Sequence, residues 1–185
     1  NQSYQESRIS GYPATLIARA LSLSGGYFSL DAACASSLYA VKLACDFLSK
    51  GKADLMLAGA VSAGDPFFVN QGFSTFTAYS EKDDCRPLDK NSTGLISGEG
   101  AGMFVLKRYE DAVMDHDHIY ASIAGIGLSN DGRGKFVLAP RAGGQVLAYE
   151  RAYSDNPVQP SDVSYIECHA TGTSVGDGVE IDSLD

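Results

Sequence analysis

The chain has 185 residues, 44% of them hydrophobic, and a formal net charge of −9. With that charge, no basic stripe and no tryptophan, nucleic-acid binding is excluded on electrostatic grounds. No run approaches the ~20 apolar residues that cross a bilayer and the opening stretch Asn1 to Ser10 is polar, so a cytoplasmic protein without membrane contact is expected.

In chain order, Tyr12 to Leu23 reads as a short Ala/Leu-rich helix ended by Gly25-Gly26. Tyr27 to Ala32 is a predicted strand that gives way abruptly to a helix over Ala35 to Lys50. That helix carries an apolar stripe at Leu38, Val41, Cys45 and Leu48 and closes on Gly51 as a C-terminal cap. Asp54 to Val61 is a continuous apolar run suited to a buried central strand. Pro66 to Asp89 reads as irregular and rich in aromatics. Gly102 to Leu106 and Ile119 to Leu128 are strand candidates, with a short helix at Glu110 to Met114 between them. Gly144 to Tyr153 is an amphipathic helix, Val163 to Glu167 a strand, and Gly178 to Asp185 the start of another helix. Alternation of this kind predicts an α/β fold with helices on a buried sheet. A chain this long typically buries roughly 70% of its unfolded surface, so a large core is expected.

Two segments carry chemistry. Cys34 lies in Asp31-Ala32-Ala33-Cys34-Ala35-Ser36-Ser37, at the junction of a predicted strand and a helix N-terminus. Unpaired backbone N–H groups and the positive end of the helix dipole favour the thiolate there, and the thiolate is the nucleophile. Its small neighbours leave room for a bulky thioester. A lone cysteine at such a junction is more often a buried small residue; what turns the reading is His169, in Glu167-Cys168-His169-Ala170-Thr171-Gly172-Thr173 at the end of another apolar strand. The four cysteines (Cys34, Cys45, Cys85, Cys168) form no C-x-x-C pair and read as free thiols in a reducing compartment.

These segments resemble the active-site motifs of β-ketoacyl synthases, the decarboxylating condensing enzymes of fatty acid and polyketide assembly. The family's Asp-Thr-Ala-Cys-Ser-Ser-Ser stands against Asp31 to Ser37, and its Glu-Ala-His-Gly-Thr-Gly-Thr against Glu167 to Thr173. A third block, Arg86-Pro87-Leu88-Asp89 through Gly98-Glu99-Gly100-Ala101-Gly102, resembles the family's Pro-Phe-Asp and Gly-Glu-Gly-Ala-Gly run. The blocks cover nearly the whole chain in order, and among subtypes the chain is most similar to ketosynthases of bacterial polyunsaturated fatty acid synthases. Ala170 departs from the family's glycine.

The resemblance implies a thiolase-like layered α-β-α-β-α architecture of two similar halves, incomplete in this chain. The family uses a second histidine and a lysine downstream of the first, whereas the histidines here are His116, His118 and His169. Residues 1–185 are therefore expected to be a partial domain, truncated at both ends and inactive in isolation. The resemblance further implies that Cys34 forms the acyl-enzyme and that His169 hydrogen-bonds the malonyl thioester. Thr171 and Thr173 resemble the hydroxyls that bind the pantetheine amides, and the Phe67 to Phe76 stretch either lines the acyl pocket or packs in the core. No bound cofactor is expected beyond the phosphopantetheine arm of an acyl carrier protein, the implied partner, and a homodimer or dimer-like heterodimer is implied. Arg133, Lys135 and Arg141 are the candidate carrier-docking cations. Two alternatives stay open: a silent partner of the chain-length-factor kind, and a Cys/His acyltransferase or thioester hydrolase that does not condense.

The remaining patterns read as structural. Asp115-His116-Asp117-His118 is a solvated turn rather than a metal cluster, and Asp89 to Gly94 lacks the glutamate spacing of a calcium loop. Gly125-Ile126-Gly127 lacks the third glycine of a dinucleotide fingerprint. Gly98-Glu99-Gly100 reads as structural, and helix N-terminal capping explains Asp177 and Glu180.

Overall fold

A computed structural model describes residues 11–62, 66–82, 84–133, 139–154 and 156–185. Six α-helices occur among them: α1 (Tyr12–Ala20), α2 (Ser36–Ser49), α3 (Pro66–Thr75), α4 (Tyr109–Met114), α5 (Ala142–Tyr153) and α6 (Ser174–Leu184). Two strands, β1 (Leu55–Ser62) and β2 (Gly100–Lys107), pair antiparallel, with Leu55 opposite Lys107 and Ser62 opposite Gly100. The chain divides into two units, Asn1–Ala63 with Gly100–Tyr120, and Gly64–Glu99 with Ala121–Asp185.

In the first unit, α2 packs on β1 through Val41, Ala44 and Leu48, one stripe at helical spacing, with Ala58 buried on the strand. Ala44 takes the place expected for Cys45, which is half-buried, and Leu38 is exposed. Arg108 ties this layer together. Its Nη1 donates to the carbonyls of Leu48 (3.0 Å) and Ala53 (2.7 Å), its Nη2 meets Asp54 at 2.6 Å and its Nε meets Asp111 at 2.5 Å. The end of α2, the start of β1 and the first turn of α4 thus share one guanidinium, whose planar fork suits several acceptors at once.

Four helices stop by the same device. The residue after the C-cap turns left-handed and its N–H, with that of the next residue, bonds back into the last turn. In α2 this residue is Gly51 (φ 62°), as expected from the sequence. In α1, α3 and α4 it is Ser22 (φ 53°), Thr77 (φ 50°) and His116 (φ 57°). Helix α1 therefore ends at Ala20, ahead of the Gly25-Gly26 pair that was expected to stop it. The same motif accounts for the Asp115 to His118 cluster. His116 closes α4, Asp115 and Asp117 both grip the Lys107 ammonium, and His118 stacks edge-on against Tyr120 at 4.4 Å. Asp115 and then Asp117 hold Lys107 above the usual lysine range.

Several expectations are corrected. Residues 27–31, the Ile119 to Leu128 run and the Val163 to Glu167 run lie outside any strand ladder among the described residues. Their β-branched and aromatic composition reports suitability for a half-buried pleated surface, while a strand also needs a partner backbone. Pro66 to Thr75, expected to be irregular, is helical, with proline opening it where a missing N–H costs nothing. Helix α6 begins at Ser174, four residues before the expected Gly178. The buried core is small, comprising Ala18, Val41, Ala44, Leu48, Ala58 and Ala112 among the apolar residues. The apolar run of β1 is half exposed at Leu55 and Val61, and Phe104 and Val105 of β2 are exposed. A large core is thus not present among the described residues.

In the second unit, α5 packs with α6, and the Ser183 hydroxyl, buried between them, donates to Gln145 Oε1 at 2.6 Å. Gly125 and Gly127 lie directly on α5. A Cβ on Gly127 would stand 1.8 Å from the Ala148 carbonyl oxygen, and one on Gly125 would stand 2.1 Å from that of Ala152. These glycines serve close backbone packing rather than nucleotide binding. Gly127→Ala is expected to destabilise the protein by about 2–3 kcal/mol, the upper range for forced overpacking. A urea unfolding curve checks this, with a lowered midpoint at unchanged slope as the expected result.

Candidate active site

Cys34 is exposed at the mouth of α2, one residue before the N-cap Ala35. The turn that presents it is tightly built. Asp31 Oδ1 accepts the Ala33 N–H at 2.8 Å, and the Ser36 hydroxyl accepts the Ala32 N–H at 2.9 Å while donating to the Ala33 carbonyl at 2.7 Å. Ala33 is held left-handed at φ 51°, a conformation disfavoured by roughly 1–2 kcal/mol for a residue with a Cβ. The left-handed Ala33 turns the chain just before the exposed Cys34. No side chain caps Ala35; the Ala35 and Ser36 N–H groups bond back to the Ala32 and Ala33 carbonyls, and the N-terminal end of the α2 dipole beside the thiol favours negative charge.

His169 belongs to the second unit and is exposed on the loop that leads into α6. Glu180 grips that loop from the helix: its Oε1 accepts the His169 N–H at 2.6 Å and its Oε2 the Ala170 N–H at 2.8 Å. Ala170, where the family motif has glycine, is left-handed at φ 39°, and the carboxylate bond holds it there. One turn earlier on α6, Asp177 is 7% exposed, and its Oδ1 accepts the Gly172 N–H at 3.1 Å. Thr171 and Thr173 stand together, their hydroxyl oxygens 3.0 Å apart, with Thr173 as the N-cap of α6. Gly172 has φ 81°, and a Cβ there would sit 2.9 Å from the Gly94 carbonyl oxygen and 3.0 Å from Ser92 Oγ.

The structure therefore brings His169, Thr171 and Thr173 onto one clamped loop. Asp177 and Glu180 are not helix caps, as expected from the sequence, but acceptors for that loop's backbone. Their spacing is the signal that could have found them, because residues three apart share a helix face. Among the expected pocket aromatics, Phe67 is 75% exposed and Phe76 is exposed, while Phe73 stacks on Tyr79 at 5.5 Å; the side chain of Phe68 lies outside the described residues. Of the expected docking cations, Arg141 donates to the Asp131 and Arg133 carbonyls, Arg133 is exposed, and Lys135 lies outside the described residues. Among the described residues no group of three or more His, Cys, Asp or Glu is placed to hold a metal ion. No helix among them is long and apolar enough to cross a membrane.

Residues 2–112 match the family model of the β-ketoacyl synthase N-terminal domain, and residues 120–185 match that of its C-terminal domain. The chain belongs to the β-ketoacyl synthase family. It is similar to two polyunsaturated fatty acid synthase subunits of Thraustochytrium sp. With one it shares 46% identity over 93% of this chain and 8% of that protein. With the other it shares 38% identity over 98% of this chain and 7% of that protein. Among solved structures, the PfaC keto synthase–chain length factor is 63% identical with a TM-score of 0.93, over 97% of this chain and 20% of that one. A ketosynthase from module 6 of the bacillaene synthase of Bacillus subtilis 168 is 34% identical with a TM-score of 0.91, over 97% of this chain and 32% of that one. The α/β fold is thus the thiolase-like fold of ketosynthases, of which the antiparallel β1–β2 pair and its helices form a part. The chain spans less than a tenth of the length of these two curated relatives and about a third or less of the two solved chains.

Proposed function

We propose that this chain is the part of a β-ketoacyl synthase that carries the nucleophile and the first catalytic histidine. The reaction is a decarboxylating Claisen condensation giving a 3-oxoacyl-carrier product in fatty acid or polyketide synthesis. The observation that carries the reading is the exposed Cys34 at the N-terminus of α2, behind the strained Ala33. The Cys34 thiolate attacks the carbonyl of an acyl thioester, and the pantetheine thiolate leaves with the proton that Cys34 gave up. A malonyl thioester then loses carbon dioxide, and the electron pair of the broken C–C bond moves onto the thioester oxygen. His169 Nε2–H hydrogen-bonds that oxygen as charge develops. The enolate carbon attacks the acyl carbonyl, and the C–S bond to Cys34 breaks to restore the thiolate. The backbone N–H of Cys34 serves the oxyanion of acyl transfer, and Thr171 and Thr173 hold the pantetheine amides. A second histidine and a lysine come from elsewhere in the domain. The many exposed apolar side chains, among them Phe104, Val105, Tyr165 and Ile166, support a larger domain as the working unit.

In this reading an acyl carrier protein delivers both substrates on its phosphopantetheine arm and the domain works as a dimer. The likeness to polyunsaturated fatty acid synthase subunits supports a fatty acid pathway. The likeness to a keto synthase–chain length factor raises the silent-partner alternative, and the presence of Cys34 favours the catalytic half. The test is mass spectrometry of the intact protein incubated with an acyl thioester, followed by malonyl-carrier. The expected result is one acyl adduct on the Cys34 peptide, consumed with stoichiometric carbon dioxide release. A folded protein that forms no adduct would be a silent partner. An adduct lost to water without malonyl would mark a hydrolase.

A further inference from the structure

The Arg86-Pro87-Leu88-Asp89 block matches the family motif yet offers no group to the chemistry above. It leads instead to the His169 loop. Leu88 is left-handed at φ 63° and its side chain is half exposed, so its conformation serves the backbone rather than core packing. Its N–H points at the buried Asp177, donating to Oδ2 at 2.7 Å, while the other oxygen of that carboxylate takes the Gly172 N–H. Two further bonds cross between the same segments. Ser92 Oγ donates to the Gly172 carbonyl at 2.5 Å, and Cys85 Sγ donates to the Thr171 carbonyl at 3.6 Å. With the Glu180 clamp, the N–H of His169, Ala170 and Gly172 and the carbonyls of Thr171 and Gly172 are all fixed. A buried carboxylate needs its donors, so the left-handed Leu88 and the order of the loop depend on each other.

We propose that the turn from Asp84 to Leu95 is a positioning element for His169, acting through the Leu88 N–H on Asp177 and the Ser92 hydroxyl on Gly172. This rests on the condensing reading of the site. The turn contributes no atom to the reaction; it fixes the backbone from which His169 and the two threonines project. Small displacements of such a donor weaken catalysis strongly, because its hydrogen bond must meet the developing charge without reorganisation.

The role predicts a split between half-reactions. In the intact protein, Leu88→Ile forces a β-branched residue into the left-handed region and is expected to slow malonyl decarboxylation about tenfold, the effect of one unsupported strained position. Leu88→Gly, which adopts that conformation freely, is expected to stay within about twofold of the unaltered protein. Ser92→Ala is expected to slow decarboxylation about fivefold, and Ser92→Thr, which keeps the hydroxyl, to restore most of it. Acyl transfer to Cys34 from a simple thioester that lacks the pantetheine arm, and so does not draw on Thr171 and Thr173, is expected to stay within about twofold in all four. The serine pair keeps the test decisive if Leu88→Ile does not fold. Equal losses in both half-reactions would make the turn a general scaffold and overturn the proposal, as would full decarboxylation by folded Leu88→Ile and Ser92→Ala proteins. No Cys34 adduct in the unaltered protein would instead sink the condensing reading, and this inference with it.

Discussion

Cys34→Ala in the intact protein is expected to remove the acyl adduct completely and to lower condensation by at least about a thousandfold. The chemistry admits no substitute within the chain. Burial pushes the Cys45 thiol up, making it the poorer nucleophile, and it lies half-buried on α2. Cys85 is engaged with the Thr171 carbonyl, and Cys168 is half-buried beside the histidine loop. Of the four cysteines, Cys34 stands at the N-terminus of a helix behind a strained turn. Cys34→Ser is expected to be nearly as damaging, because an alcohol at the same place is far less ionised than a thiol at neutral pH. Decarboxylation of the malonyl thioester is expected to persist in both variants, since in the proposed reaction breaking that C–C bond draws on the histidine loop and not on the thiol. Mass spectrometry of the adduct and a carbon dioxide assay read the two effects separately. An adduct that survives Cys34→Ala would move the nucleophile elsewhere and undo the assignment.

The family motifs around Cys34 and His169 can be read in the sequence because each is short and contiguous. Cys34 needed only a turn followed by a helix, and both are where the residues predict them. What escaped depends on atoms distant in sequence. Asp177 and Glu180 sit where the sequence predicts a helix to begin, and local reasoning makes them caps, but they lie within α6 and their oxygens accept from Gly172, Leu88, His169 and Ala170. The bond from Leu88 crosses 89 positions, so no window along the chain contains it. Helix ends were legible where glycine supplies the left-handed residue, at Gly51, and hidden where Ser22, Thr77 and His116 do so at a steric cost that the two backbone bonds offset. Strands failed for a related reason. The composition of Tyr27 to Ala32 or Val163 to Glu167 reports a surface that wants covering, whereas a ladder depends on a neighbouring backbone that composition does not name. The same surfaces go with the small core among the described residues, since the run read as a buried central strand, Asp54 to Val61, buries Ala58 but exposes Leu55 and Val61.

His169→Ala is expected to slow malonyl decarboxylation by about 100- to 1000-fold, the usual loss when one donor to a developing oxyanion is removed, while Cys34 still acylates. The geometry also predicts a graded companion. Glu180→Gln keeps the length of the clamp but offers one oxygen and one NH₂ to two backbone N–H groups, so one bond is lost and a donor faces a donor. Decarboxylation is expected to fall about tenfold, roughly the worth of a charge-assisted bond. Ala170 sharpens the test, because its left-handed backbone costs roughly 1–2 kcal/mol and is retained by the Glu180 bond. Once that bond is weakened, the loop gains by relaxing and His169 moves with it. Glycine at the same position has no such strain to release. Ala170→Gly is therefore expected to change little by itself, where relief of strain and added chain freedom oppose each other, and to recover part of the loss when combined with Glu180→Gln. Rates of carbon dioxide release for the four proteins of that cycle give the coupling directly. Additive effects, with no recovery in the double variant, would show that Glu180 does not act on His169 through the strained backbone.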